Sequence, residues 1–184
     1  MGIDISCIGG IGFEVIDLVN MYPDHKLSKE YFDEENDDKG SALEEFFNNS
    51  EAIEFLKKVV NINSGTMNHE GVKEVGDVFG KAFENIGFKY SWYDMYVENR
   101  SGHLFVETKT KQNTTGKKLL LIGHLDTVFE ENSPFQQFKR LDDSIAHGPG
   151  ANDMKGGDVV VLFALKALAD LNLLKNADIT VAFT

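Results

Sequence analysis

Residues 119–128 read LLLIGHLDTV, in which four apolar residues, Leu119 to Ile122, run into a Gly, a His and, two places on, an Asp. A strand with one wet face alternates polar and apolar residues, whereas Leu119-Leu120-Leu121-Ile122 is apolar on both faces, the pattern of an interior strand in a covered sheet. His124 and Asp126 then stand at the end of that strand, two residues apart and therefore on one side of it. Sheets in alternating α/β folds keep their ligand crevice beyond the carboxyl ends of the strands. There an imidazole can bind a metal through one ring nitrogen while a carboxylate orients it through the other. From this pair alone, a solvated Asp and a hydrogen-bonded His at a strand terminus is an equal reading.

The elements around this strand follow from periodicity. Ile53, Leu56 and Val60 recur at helical spacing behind Ser50, a candidate N-cap, and the polar NINSG of residues 61–65 ends this first helix. Val72, Val75, Phe79, Phe83 and Ile86 mark one face of a second helix, with Gly87 where a left-handed C-cap residue belongs. FKYSWYDMYV and HLFVET, rich in aromatic and β-branched residues, read as two strands around a turn at 98–102. The KQNTTGKK turn feeds the strand at Leu119, and a polar loop covers residues 129–144. A helix from about Asp158 to Leu171, VVVLFALKALADL, is apolar nearly all round, and DITVAF is the last strand. Helices and strands interleave, which points to an α/β layered fold, a sheet with helices on both faces.

The chain has 184 residues, enough for one ordinary core. Its formal net charge is -12, and residues 1–50 hold 12 Asp and Glu against 3 Lys. Residues 1–49 are therefore set apart as an acidic extension ahead of a domain at 50–184. A nucleic-acid partner needs a basic face that this chain lacks. No apolar run approaches the ~20 residues that cross a bilayer, so a membrane role is not expected. The N-terminus lacks the basic start of a secretory signal, so the chain reads as cytoplasmic as written, with periplasmic or secreted as the alternative should the true N-terminus carry a signal. The single Cys7 offers neither a disulfide framework nor a thiolate cluster, which leaves imidazole and carboxylate to build any metal site.

A second motif, GPGANDMKGG at residues 148–157, surrounds Asp153 with Gly and Pro that prescribe one backbone path just ahead of the apolar helix. A phosphate-cradling loop is the first rival, since such turns at helix N-termini bind anions. It lacks the GK[ST] ending and the GxGxxG spacing, and Asp153 would repel a phosphate but attract a divalent cation.

GHLDTV and GPGANDMKGG together resemble the zinc-peptidase family that contains glutamate carboxypeptidase, aminoacylase, peptidase T and succinyl-diaminopimelate desuccinylase. VVNINSGTMNHEGV resembles the opening helix and loop of its carboxypeptidase branch, and the resemblance covers about residues 50–184. It implies a zinc-exopeptidase-like catalytic domain, present here as its N-terminal half without the lid and dimerisation domain. By that resemblance His124 is a zinc ligand, Asp153 bridges two zinc ions, Asp126 is the catalytic carboxylate that orients His124, and the Asp153 to Met154 peptide is cis. Gly156 and Gly157 would let the helix pack close. Cobalt or manganese also suits imidazole plus carboxylate. The implied function is metal-dependent hydrolysis of an amide bond in a small peptide or an N-acyl amino acid, by a carboxypeptidase-like exopeptidase or a deacylase, with a homodimer only in a full-length form. The family's general-base Glu and its later ligands have no counterpart up to Thr184, so this chain alone is expected to be inactive. The alternative is a non-catalytic remnant that binds a metal or a partner weakly.

Other residues are discounted. His147, near the second motif, is a weak candidate for a third ligand, and His69 and His103 read as surface or structural residues. Lys155 could meet a substrate carboxylate but suits packing as well. Trp92 and its Tyr neighbours read as sheet-face residues.

Overall fold

The computed structural model describes residues 50–108, 118–141, 145–174 and 177–184. The acidic extension at 1–49 and most of the KQNTTGKK turn lie outside them. Helix α1 (Ser50–Val60) leads to α2 (His69–Asn85), strand β1 (Phe88–Asp94), a 3-10 turn (Tyr96–Glu98), β2 (Gly102–Thr108) and β3 (Lys118–Gly123). After these come the short pair β4 (Lys139–Arg140) and β5 (Ala146–His147), helix α3 (Lys155–Asp170) and β6 (Asp178–Phe183). The 3-10 turn takes up Tyr96 and Val97, which the sequence places in the first strand. No described helix is long and apolar enough to cross a membrane.

Four strands form one sheet in the order β1-β2-β6-β3, with β1 and β6 antiparallel to β2 and β3 parallel to β6. Register places Phe88, Tyr90 and Trp92 of β1, Leu104 and Val106 of β2, Ile179, Val181 and Phe183 of β6, and Leu119 and Leu121 of β3 on one face. The helices cover that face. α2 lies on β1 and β2, α3 on β3, and α1 on α3. The apolar stripe of α2 supplies Val72, Val75, Phe79 and Phe83 to the core, and Gly87, at φ 97°, leaves the helix in the left-handed region as its position predicts. Phe79 stands at the centre, edge-on to both Phe55 and Phe183 at 5.3 Å.

The α/β class holds, and the described residues cover the sheet on one face. β3 is the margin of the described sheet, and the face opposite the three helices carries no described helix. Leu120 and Ile122 point to that face and are 57% and 67% exposed, while Leu121 between them is buried. An unbroken apolar run says that neither face repels a neighbour, but it does not say that both have one. The last helix also begins at Lys155, ahead of the expected Asp158, because Lys155 and the two glycines already take helical geometry.

Two substitutions separate the faces. Phe79→Ala should cost about 3–5 kcal/mol of stability in urea denaturation, since it removes a fully buried ring from the centre of the core. Ile122→Thr on the open face should stay within about 0.5 kcal/mol of the parent.

Candidate functional site

The site forms where the carboxyl end of β3 meets the N-terminus of α3. β3 ends at Gly123, and His124, Leu125 and Asp126 continue past it, held by a backbone bond from Leu125 N–H to the Thr184 carbonyl beyond β6. On the other side, the segment 64–66 docks against 125–127. Thr127 N–H donates to the Ser64 carbonyl at 2.8 Å, Thr66 N–H to the Thr127 carbonyl at 3.0 Å, and the buried Ser64 hydroxyl to the Leu125 carbonyl at 2.8 Å. The backbone carrying His124 and Asp126 is thus pinned from both flanks, which a loop needs if it is to aim side chains.

Asp153 arrives by a different route. The peptide between Asp153 and Met154 is cis, as the resemblance implies. Gly156 in the first turn of α3 lets the loop fold against the helix, since a Cβ there would lie 2.2 Å from the Ala151 carbonyl oxygen. A Cβ on Gly157 would make only ordinary contact with Met154, so of the two glycines the packing demands Gly156.

The three expected residues come together. His124 Nδ1 lies 3.1 Å from Asp126 Oδ1, and Nε2 lies 3.0 Å from Asp153 Oδ1. The carboxylates grip the imidazole at both nitrogens. The hydrogen bond to Asp126, and behind it that to Asp153, raises the His124 pKa from 6.5 to about 9, against the opposing effect of partial burial. His124 in turn, assisted by Thr66, holds the Asp126 carboxyl below its usual range.

Two participants were not legible in the sequence. Asp158, in the first turn of α3, is fully buried, and neither of its oxygens has a hydrogen-bond partner among the described residues. Burial raises its pKa well above the usual carboxylate value, an effect that the nearby charge of His124 reduces. Its Oδ1 occupies the place of a side chain at position 123, where a Cβ would lie 2.1 Å away, which accounts for the Gly in GHLD. The one available signal was an acid at the head of an otherwise apolar helix, where the dipole favours it. Thr66 was also missed; its hydroxyl lies 2.5 Å from Asp126 Oδ2.

Lys155 turns away from any substrate. It is fully buried, and its ammonium donates to the carbonyls of Val59 and Ile62, at 2.8 and 2.9 Å, at the C-terminal end of α1. Burial lowers its pKa from 10.5 to about 8. His147 stacks edge-on to Phe135 at 5.5 Å, and His69 packs near Tyr96, so neither joins the cluster.

The arrangement suits a cation. A nitrogen donor and an exposed carboxylate oxygen face each other, and the second ring nitrogen is held by another carboxylate. Among the described residues, however, no group of three or more His, Cys, Asp or Glu is placed to hold a metal ion.

Known proteins share this framework. The model of Peptidase family M20/M25/M40 matches residues 120–184, which run from within β3 through β6 and include both motifs. Carboxypeptidase G2 of Pseudomonas sp. (strain RS-16) is 33% identical over 134 residues, 71% of this chain and 31% of that protein. Among solved structures, the M20 family metallo-carboxypeptidase Sso-CP2 from Sulfolobus solfataricus has a TM-score of 0.58 at 22% identity, covering 73% of this chain and 30% of its own. Human carnosine dipeptidase 1 has a TM-score of 0.61 at 18% identity, covering 72% and 31%. The structural likenesses establish the fold. The chain spans about a third of the length of each of these relatives.

Two outcomes follow from the metal-free site. The folded His124 pKa lies above its unfolded value, so the stabilisation is complete below pH 6.5 and is lost as pH climbs through about 9. The difference in urea midpoint between wild type and His124→Gln should therefore shrink over that window. Gly123→Ala should destabilise by about 1–3 kcal/mol through its collision with Asp158 and Phe183, with less cost in an Asp158→Ala background.

Proposed function

We propose, from the premise that this chain carries part of a domain of peptidase family M20/M25/M40, that it contributes to a metal-dependent site hydrolysing an amide bond in a small peptide or N-acyl amino acid. The reaction is that of a carboxypeptidase-like exopeptidase or a deacylase. One observation carries the reading: a single imidazole is held at Nδ1 by Asp126 while its Nε2 meets Asp153.

In this reading His124 and Asp153 hold zinc, with Asp153 shared between two ions, and cobalt or manganese fits the same donors. Bound there, the ions supply Lewis acidity toward a scissile carbonyl and acidify water. Asp126 accepts the Nδ1 proton, which leaves the Nε2 lone pair as the donor and fixes the plane of the ring. Asp158 stays behind this layer, buried against Gly123.

A catalytic zinc usually takes three protein ligands and a water, and hydrolysis needs a general base as well. His124 and Asp153 are two ligands, so on this proposal the remaining groups come from outside the described residues. The same shortage favours a second reading, a non-catalytic piece that binds metal weakly, because no metal-holding group of three is present among the described residues.

Zinc titration of the 184-residue chain by calorimetry tests the assignment. At pH 7 the imidazole carries a proton, so zinc uptake should release about one proton per ion, seen as a dependence of the apparent enthalpy on buffer. His124→Ala and Asp153→Ala should each abolish that signal. Equal binding by wild type and both variants would remove these residues from the metal site; tight stoichiometric binding would favour the first reading, and weak or absent binding the second.

A further inference from the structure

We propose that Thr66 is a positioning residue of this site, whose hydroxyl locks the Asp126 carboxylate in the orientation that presents its other oxygen to the imidazole of His124. The proposal rests on the reading of His124 and Asp126 given above, and it concerns a side chain to which that reading assigns no role.

The geometry separates what the backbone of residue 66 does from what its side chain does. The segments 64–66 and 125–127 are already joined by two backbone hydrogen bonds, which together form an isolated parallel bridge between Gly65 and Thr127, and by the Ser64 hydroxyl on the Leu125 carbonyl. None of these uses the Thr66 hydroxyl. That group has one proton to give and two acceptors in reach, Asp126 Oδ2 at 2.5 Å and the Thr127 carbonyl at 3.3 Å. The carboxylate is nearer and charged, and a bond to an ionised acceptor is the stronger kind. Asp126 is then held at both oxygens, Oδ2 by Thr66 and Oδ1 by His124.

A carboxylate held at one oxygen only can turn about its terminal torsion, which is broad for Asp. When it turns, Oδ1 leaves Nδ1, and the ring keeps only the neutral Asp126 carbonyl, also 3.1 Å from Nδ1, in place of the charged partner that holds its proton there. Thr66 itself is placed firmly. Met67 N–H donates to Glu130 Oε1 at 3.1 Å, Asn68 N–H to the Gly65 carbonyl at 2.8 Å, and Gly65 N–H to Asn63 Oδ1 at 3.2 Å. The chain therefore runs Thr66 to Asp126 to His124 to Asp153, with a neutral hydroxyl at its far end.

Thr66→Val keeps the β-branched shape and the backbone bonds and deletes the donor, whereas Thr66→Ser keeps the donor. In the metal-free chain labelled with 15N-histidine, the Nδ1–H resonance of His124, identified by its loss in His124→Gln, reports the bond to Asp126. Wild type should show it as a downfield, slowly exchanging proton, Thr66→Val should lose it to exchange with water, and Thr66→Ser should restore it. In the zinc titration the Val variant should bind roughly tenfold more weakly and the Ser variant like wild type. A resonance absent from wild type, unchanged in Thr66→Val, or lost equally in Thr66→Ser would overturn the proposal. Thr66→Ala is the second variant: if neither it nor Thr66→Val folds, the hydroxyl serves structure and the positioning role falls. Should wild type bind no zinc, the metal reading fails by itself, and the imidazole resonance still judges Thr66.

Discussion

The parallel alignment of β3 with β6 is the constraint that builds the site. Two parallel neighbours cannot be joined by a tight turn; the chain must leave the top of the first strand and return to the bottom of the second, and a helix laid on the sheet is the usual means. α3 makes that return, so its N-terminus has to lie at the end of the sheet where β3 finishes. Asp153 precedes α3 and His124 follows β3. Their meeting at 3.0 Å, across 29 residues of sequence, follows from topology before any side-chain preference enters.

Topology delivers the groups, and local chemistry settles how they face one another. Three carboxyl groups surround one imidazole, each in a different setting: Asp153 exposed, Asp126 tethered at both oxygens, Asp158 sealed behind Gly123. An acid in water keeps its charge cheaply. One in the interior without a partner favours the proton. The same residue type thus stands as an exposed carboxylate, as a brace and as a buried acid that favours its proton.

How much of this could be read from the chain depended on whether a residue's task leaves a repeating trace. The stripe of α2 and the alternation of β2 are periodic, and they were legible down to the glycine that ends the helix. His124, Asp126 and Asp153 were legible because they sit in dense, unusual company, Gly and Pro on one side and an apolar strand on the other. Asp158 and Thr66 left no such trace. Burial of a single acid depends on what packs over it, and a hydroxyl facing a carboxylate 60 residues away has no spacing of its own.

Lys155 joins the Asp153 loop to the end of α1. Its stem leaves the chain two residues after Asp153, and its head is anchored in the last carbonyls of α1, so it acts as a rigid strut of set length. The distance from the end of α1 to the metal-facing loop is then a gauge that neither element can change alone. A residue inserted between Val60 and Ile62 would shift the anchor and carry the Asp153 loop with it. In this architecture the join behind the first helix, two residues ahead of the Ser64 that docks on the site, is a poor place for sequence drift.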